Sequence, residues 1–417
     1  MTFLLIIADD FTGALDTGVQ FAACGISTKV VVDPETDLSG DRAQVLVVDT
    51  ETRHLPAGEA RSVVLRLAVR ARKTGIPYIY KKTDSALRGN IGAELAAVLE
   101  ASGEERLPFF PAFPQTGRIT RGGIHYVDGI PVTESPFGRD PFEPVQSSVV
   151  TELIAGQTGT PATSLPAAFA GSIPGYTDQK GILVFDAETP EDLMETGRAL
   201  FQTGPVPVMA GCAGFAAALP RLLGLDTGTP CPLPRLDPRL LVVCGSVNPI
   251  TLAQLDAAEQ SGFARLRLTP EQKLSPGYWK TDAGQASLPA IEAMLAEHPR
   301  CIIETNDSGG NGPTAAYAKE LGLSLEELRI RIAGALGELV GSLFTSPALG
   351  TLLLTGGDTL LQCMNSVGVR ELEPVCELER GVVLARFTYK GCTRHVITKS
   401  GGFGNRELLL ELADRLC

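Results

Sequence analysis

Short apolar runs of β type alternate with helical periodicity from the first residues, which predicts an α/β chain of two domains. Each domain is expected to hold a mainly parallel sheet flanked by helices. The chain has 417 residues, 44% of them apolar, more than one core ordinarily serves. The alternation runs to about Leu223 and restarts at Leu240. Between these points, Asp226–Arg239 carries Pro230, Pro232, Pro234 and Pro238 and reads as an interdomain linker. Domains are therefore expected at residues 1–228 and 239–417.

In the first half, Phe3–Ala8, Thr28–Val32, Val45–Val48 and Ile76–Tyr80 read as buried strands, with helices near Ala14–Cys24, Ala57–Thr74 and Ile91–Ala101. A second set follows: a strand at Gly181–Phe185, a helix near Glu191–Gln202, a strand at Val206–Ala210 and a helix ending at Leu223. Asp128-Gly129, flanked by Ile124–Val127 and Ile130–Val132, is a two-residue hairpin signal. Pro108–Gln115 has too many prolines for a central strand and reads as a loop wall. Beyond the linker come strands at Leu240–Cys244, Ala264–Leu268, Cys301–Glu304 and Thr351–Leu354. Helices are expected up to Gln260, over Leu325–Leu343, near Thr359–Val367 and over Arg406–Leu416, with a β-rich stretch at Val375–Thr398. No repeat of fixed period is visible.

Lys and Arg number 36 against 48 acids, a formal charge of −12. That balance argues against a nucleic-acid partner and leaves local sites for small anions open. No apolar run is long enough to span a membrane, and the start, MTFLLIIADD, reads as a first strand rather than a signal peptide. Nine scattered cysteines without a C-x-x-C pair fit free thiols in a reducing cytoplasm. Four scattered histidines argue against a His-based metal site. Nothing here sets an oligomeric state or names metal ligands.

The densest polar chemistry is Thr83–Asn90, TDSALRGN, at the end of a strand, where open parallel sheets bind ligands. Asp84 brings a carboxylate, Ser85 a hydroxyl and Arg88 a planar fork suited to a carboxylate or phosphate. Gly89 permits close backbone approach, and Asn90 can cap the following helix. The alternative is a surface ion pair, Asp84 with Arg88, beside a tight turn. Asp9 and Asp10 close the first strand, with Thr12 and Asp16 one helical turn apart beyond them. Adjacent carboxylates are costly to bury unless they bind something. One can cap the helix, leaving the other to orient hydroxyls or act as a base. Acids for hydroxyls and Arg88 for a carboxylate suit a polyhydroxy acid.

Three strands of the second half end in small-residue turns before helices: Cys244–Pro249 (CGSVNP), Thr355–Thr359 (TGGDT) and Lys399–Asn405 (KSGGFGN). In the first, Asn248 and Pro249 suit the N-cap and first helical positions. Exposed amides at helix starts bind anions, and glycines let phosphates reach them. With Lys399 and the hydroxyls of Ser246 and Thr359, the three turns suggest a nucleotide site. It is not a P-loop, since G-x-x-x-x-G does not precede Lys399, and no G-x-G-x-x-G follows a strand. Asp358 is either an N-cap or a contact to ribose or a metal-bound water.

Taken together, Ile7–Ala22, Lys82–Asn90, the tract from Pro111 to Arg139–Pro141, Cys244–Thr251, Thr355–Thr359 and Lys399–Gly404 resemble the four-carbon acid sugar kinases. That family has an N-terminal sugar-binding and a C-terminal nucleotide-binding domain, and the segments occur in its order. The resemblance implies ATP-dependent phosphorylation of the terminal hydroxyl of threonate, erythronate or 3-oxotetronate, in a cleft between domains. Mg²⁺ is inferred from the phosphoryl transfer. It implies catalytic roles for Asp10 or Asp84, Asp10 being favoured, and sugar-acid contacts from Asp9, Asp16, Lys82, Ser85, Arg88, Gly89 and Asn90. ATP would be held by Ser246, Gly356, Gly357, Asp358, Thr359, Lys399, Gly401 and Gly402. The LRGN form at Leu87–Asn90 resembles the threonate/erythronate branch. Ala86 and Leu15 depart from the family's usual polar residues, removing hydrogen-bonding groups near the expected sugar site. Two other readings stand beside this one: a dinucleotide-dependent sugar-acid oxidoreductase, which lacks its glycine fingerprint here, and a non-catalytic sugar-acid sensor, which would not need the second domain.

Overall fold

The computed structural model describes residues 2–40, 42–140, 143–168, 171–225, 232–310 and 312–416. Of the expected linker, residues 226–231 lie outside the described residues, as do Pro141 and Cys417. The chain divides into two compact units, residues 1–231 and 232–417.

The first unit runs β1 (Leu4–Ala8), α1 (Phe11–Ala22), β2 (Thr28–Val31), β3 (Val45–Asp49), α2 (Ala57–Lys73), β4 (Tyr78–Lys82), α3 (Ile91–Ser102) and β5 (Arg106–Phe110). A small antiparallel sheet follows, of β6 (Arg118–Arg121), β7 (Ile124–Val127) and β8 (Ile130–Pro131), then α4 (Val150–Ala155). The unit closes with β9 (Ala162–Leu165), β10 (Gly181–Phe185), α5 (Pro190–Thr203), β11 (Val208–Gly211), α6 (Ala213–Ala216) and α7 (Leu219–Leu222). Its main sheet has the order β2-β3-β1-β4-β11-β5-β10-β9 with every pair parallel. Each residue of β1 is buried, as an apolar run covered on both faces requires.

The second unit runs β12 (Leu240–Cys244), α8 (Pro249–Gln260), β13 (Ala264–Arg267), α9 (Pro270–Leu274), α10 (Asp282–Glu297), β14 (Arg300–Glu304), α11 (Gly312–Glu320) and α12 (Leu325–Leu343). It ends in β15 (Thr351–Thr355), α13 (Gly357–Ser366), β16 (Glu371–Glu379), β17 (Val382–Tyr389), β18 (Cys392–Lys399) and α14 (Leu408–Leu416). The order β13-β14-β12-β15-β18-β17-β16 is parallel from β13 to β18 and antiparallel in the last two pairs.

Both units thread their first four strands in the same spatial order: second, third, first, fourth. From β1 the chain leaves through α1 toward β2, and from β4 it leaves through α3 toward β5, in opposite directions. The crevice between the carboxyl ends of β1 and β4 is thus a topological switch point, where α/β sheets bind ligands. In the second unit the same reversal falls between β12 and β15. The shared threading escapes a search for a fixed sequence period because the connections differ in length.

The hairpin forms as expected, with Asp128 and Gly129 at φ 51° and 83°, the left-handed pair a two-residue turn needs. Pro108 does not shape a loop wall. It lies in β5, inside the sheet, opposite Leu183 of β10. On the other side the ladder to β11 begins only at Phe109, so the missing N–H of Pro108 falls before it. Helices α9, α10 and α11 have no counterpart in the sequence reading; α10 even contains Pro289.

Candidate active site

At the first switch point β1 delivers Asp9 and Asp10, and β4 delivers Lys82, Thr83 and Asp84. Asp10 caps α1: its Oδ1 accepts from the Gly13 amide at 3.2 Å, so the helix starts at Phe11, earlier than its apolar spacing suggests. Lys82 Nζ lies 3.2 Å from Asp9 Oδ1 and 3.1 Å from Asp10 Oδ1. Gly13 makes that reach possible, for a Cβ there would sit 1.9 Å from Lys82 Nζ.

The centre of the cluster is a residue the sequence reading missed. Arg53, from the loop after β3, is buried and places Nε 2.8 Å from Asp9 Oδ2 and Nη2 2.6 Å from Asp10 Oδ1, with Asp84 Oδ1 at 3.5 Å. Two residues expected at the sugar acid also support this arginine. Asn90 makes no helix cap; its Nδ2 donates to the carbonyls of Thr52 and Leu55, at 2.9 and 2.8 Å, fixing the Arg53 loop. Gly89, at φ 85°, leaves room for Arg53, whose Cγ would lie 3.0 Å from an added Cβ.

Asp84 and Arg88 form the ion pair that was the alternative reading of this segment. Arg88 Nε donates to Asp84 Oδ2 at 3.1 Å and Nη2 to Oδ1 at 2.9 Å. Asp84 Oδ2 also accepts from the amides of Ala86 and Arg88. The third guanidinium nitrogen, Nη1, has a 3.4 Å contact with Asp140. Arg88 and Arg118 each lie 5.2 Å from the centroid of Phe137. Arg118 donates to Ser85 Oγ. His125 joins the Ser85 carbonyl through Nε2 at 2.9 Å and the Thr120 hydroxyl through Nδ1 at 3.0 Å. Burial, partly opposed by the bond to Ser85, pushes its imidazole down to about 4. It is therefore neutral at neutral pH, with the proton on Nε2, since a carbonyl only accepts.

Burial alone would push the Asp9 carboxyl up, but Arg53, Lys82 and Lys81 outweigh it and hold it well below the usual range. Asp84 is held low in the same way by Arg88, Arg53 and Lys82. Both acids have both oxygens engaged. Asp10 differs: its three bonds all fall on Oδ1, and Oδ2 has no hydrogen-bond partner among the described residues. Asp16 lies in α1, six residues beyond Asp10. Ala86 and Leu15 are fully buried, Ala86 in the apolar cluster around β4 and α3.

In the second unit β12, β15 and β18 are adjacent, with Cys244 opposite Thr355 and Thr355 opposite Lys399. Their three glycine turns therefore emerge side by side. A Cβ on Gly245 would lie 2.4 Å from Thr359 Oγ1, and one on Gly401 3.0 Å from Ser246 Oγ. Gly356, the N-cap of α13, holds φ 98°, and Gly357 opens the helix. Gly401 and Gly402 form the turn after Lys399, tied down by Thr251 Oγ1 donating to the Gly401 carbonyl at 2.6 Å. Asn248 caps α8 as expected, accepting from the Ile250 amide. Asp358 caps nothing; it pairs with Arg329 of α12 at 2.7 Å. The neighbouring strand β14 adds Asn306, missed in the sequence, whose Nδ2 donates to the Ser246 carbonyl at 3.1 Å.

Lys399 is buried, with Nζ donating to the Ser400 carbonyl at 3.0 Å and lying 3.4 Å from Thr251 Oγ1. No carboxylate pairs with it among the described residues. Burial, only slightly offset by Cys244, lowers its amine to about 8. A buried cation among glycine amides and hydroxyls at a helix start is built for an anion.

One α/β unit thus gathers Asp9, Asp10, Arg53, Lys82 and Asp84 at a strand-end switch point, and the other sets three glycine turns and a buried lysine side by side. Residues 4–219 match a family model described as a sugar-binding N-terminal domain, and residues 241–409 one described as a nucleotide-binding C-terminal domain. A D-threonate kinase of Salmonella typhimurium is 30% identical, over 98% of this chain and 97% of its own. A D-erythronate kinase of Heliobacterium modesticaldum is 28% identical, over 100% and 97%. A 3-oxo-tetronate kinase of Methylobacterium radiotolerans is 27% identical, over 98% of each. A solved structure of a Salmonella typhimurium protein shares the fold at TM-score 0.79 and 22% identity, covering 98% of both chains. The chain belongs to the four-carbon acid sugar kinase family and is an ATP-using kinase.

Among the described residues, no helix is long and apolar enough to cross a membrane, and no three His, Cys, Asp or Glu side chains gather to hold a metal. Mg²⁺ bound through phosphate oxygens and waters needs no such cage.

Proposed function

We propose that this chain transfers the γ-phosphoryl group of ATP to the C4 hydroxyl of a four-carbon sugar acid, D-threonate or D-erythronate. The first unit takes the sugar acid and the second the nucleotide. The observation that carries this reading is that Asp10 Oδ2, at the first switch point, has no hydrogen-bond partner among the described residues, while Asp9 and Asp84 have both oxygens engaged. Asp10 orients the acceptor hydroxyl and takes its proton. Asp84, committed to Arg88 and held ionised well below neutral pH, suits neither task. In the second unit the amides of the glycine turns and Lys399 neutralise the phosphates. Mg²⁺ enters with ATP and supplies charge neutralisation on the phosphate oxygens. The names of the full-length relatives and the LRGN segment support threonate or erythronate as acceptor. No disulfide joins two of the described cysteines, which supports a cytoplasmic setting.

Purified protein with MgATP should release ADP with at least one of D-threonate, D-erythronate and 3-oxotetronate. Silence across a broad panel of sugar acids, from protein that still binds ATP, would sink the reading. Turnover with 3-oxotetronate alone would keep the reaction and reassign the branch.

Arg88 Nη1, held among the described residues by the long contact to Asp140, is the donor left for the substrate carboxylate. A charge-assisted bond contributes about 1.5 kcal/mol, so Arg88→Ala is expected to weaken sugar-acid binding roughly 10-fold without changing ATP affinity. Calorimetric titration with the sugar acid checks this. Wild-type affinity would show that the Asp84–Arg88 pair is purely structural.

A further inference from the structure

We propose that Arg53, outside the six short segments that carry the sequence resemblance, is the residue that positions Asp10 for phosphoryl transfer. The inference rests on the reading of Asp10 as the group that meets the acceptor hydroxyl. An aspartate that orients a hydroxyl must present one oxygen in a fixed direction, and the Asp10 carboxylate has a free torsion about Cβ–Cγ. Its cap bond to the Gly13 amide, at 3.2 Å, is long, and Lys82 is a flexible point charge. Arg53 is neither. Its planar fork is tied to Asp9 through Nε at 2.8 Å and to Asp10 Oδ1 through Nη2 at 2.6 Å, the shortest contact Asp10 makes. With Oδ1 held in this way, Oδ2 is the oxygen left without a hydrogen-bond partner among the described residues.

The fork is itself immobilised. The Arg53 amide donates to the Asp9 carbonyl at 3.2 Å, so loop and strand end move together. Asn90 Nδ2 grips the loop carbonyls on both sides of Arg53, and Gly89 packs against its backbone and Cγ. Four conspicuous residues of the sequence, Asp9, Asp84, Gly89 and Asn90, thus converge on one arginine. Such investment in a single rotamer is what a positioning group requires.

A cycle of four proteins tests this: wild type, Arg53→Lys, Asp10→Asn and the double variant, each with thermal unfolding, kcat, and KM for both substrates. Lysine keeps the buried positive charge and protects the fold but cannot hold Asp9 and Asp10 in one plane. Arg53→Lys is expected to lower kcat about 100-fold, the order of loss that a small misplacement causes, with KM for ATP unchanged. In the double variant the Arg53 substitution should cost less than 3-fold further, because its effect runs through Asp10. Full additivity, or wild-type kcat in Arg53→Lys, overturns the proposal. A kcat loss in Arg53→Lys that returns when the protein is stabilised by cooling would likewise assign Arg53 to folding alone. Wild-type turnover in Asp10→Asn instead removes the reading of Asp10, an outcome distinct from a normal Arg53→Lys beside a crippled Asp10→Asn.

Discussion

Asp10→Asn is expected to lower kcat by about 10²–10⁴-fold, the range supplied by a positioned general base. KM for ATP should be nearly unchanged, because the glycine turns proposed to hold the nucleotide belong to a separate unit. The substitution is a clean one. Asparagine keeps an oxygen for the Gly13 amide, so α1 remains capped and the fold should stand. What disappears is the carboxylate charge and the basic oxygen at the Oδ2 position. Coupled-assay ADP release at saturating sugar acid measures the effect directly. Asp84→Asn should behave differently: Asp84 supports Arg88 through both oxygens, so its loss loosens sugar-acid binding and destabilises the protein before it touches the chemical step. If Asp84→Asn abolished turnover while Asp10→Asn left it intact, the two acids would have to exchange roles.

That ranking of the acids could not be made from the sequence, and the reason is physical. Asp9, Asp10, Lys82, Asp84 and Arg88 stand out because they sit at strand ends, a local property that alternation reveals. What each does depends on which oxygen is already occupied, and the occupant is Arg53, an arginine in an unremarked loop 43 residues from Asp10. Asn90 and Gly89 illustrate the same gap. Helix-capping and close-approach chemistry were the right kinds of reading, but tertiary packing assigned the amide to loop carbonyls and the glycine to a side chain. The alternation of strands and helices was legible because buried parallel strands are continuous apolar runs. Pro108 was misread because a proline's cost in a strand depends on where its neighbour's ladder begins, which only pairing shows. The three glycine turns were visible singly. Their adjacency follows from the order β12-β15-β18, set by threading and not by any residue.

Lys399→Met is expected to raise KM for ATP roughly 10- to 150-fold, the equivalent of about 1.5–3 kcal/mol for one charge-assisted contact. The pH dependence makes this prediction specific. Burial lowers the amine from the ordinary 10.5 to about 8, so Lys399 is a cation below about pH 8 and loses its proton above it. In the wild type, ATP affinity should therefore fall as pH rises through about 8, and Lys399→Met should abolish that fall. Stability carries the opposite sign. Between about 8 and 10.5 the unfolded chain binds a proton that the folded, nucleotide-free protein does not, so folded stability rises with pH across that window. Below pH 8 the fold buries a charge whose hydrogen-bond partners among the described residues are a carbonyl and a hydroxyl, and methionine of similar length relieves that burden. Nucleotide-free Lys399→Met should thus unfold at a higher temperature than wild type at pH 7, yet gain less from added ATP. A structural lysine would give the reverse: a lower unfolding temperature and an unchanged response to ATP. Thermal unfolding with and without MgATP at pH 7 and pH 9 separates the two.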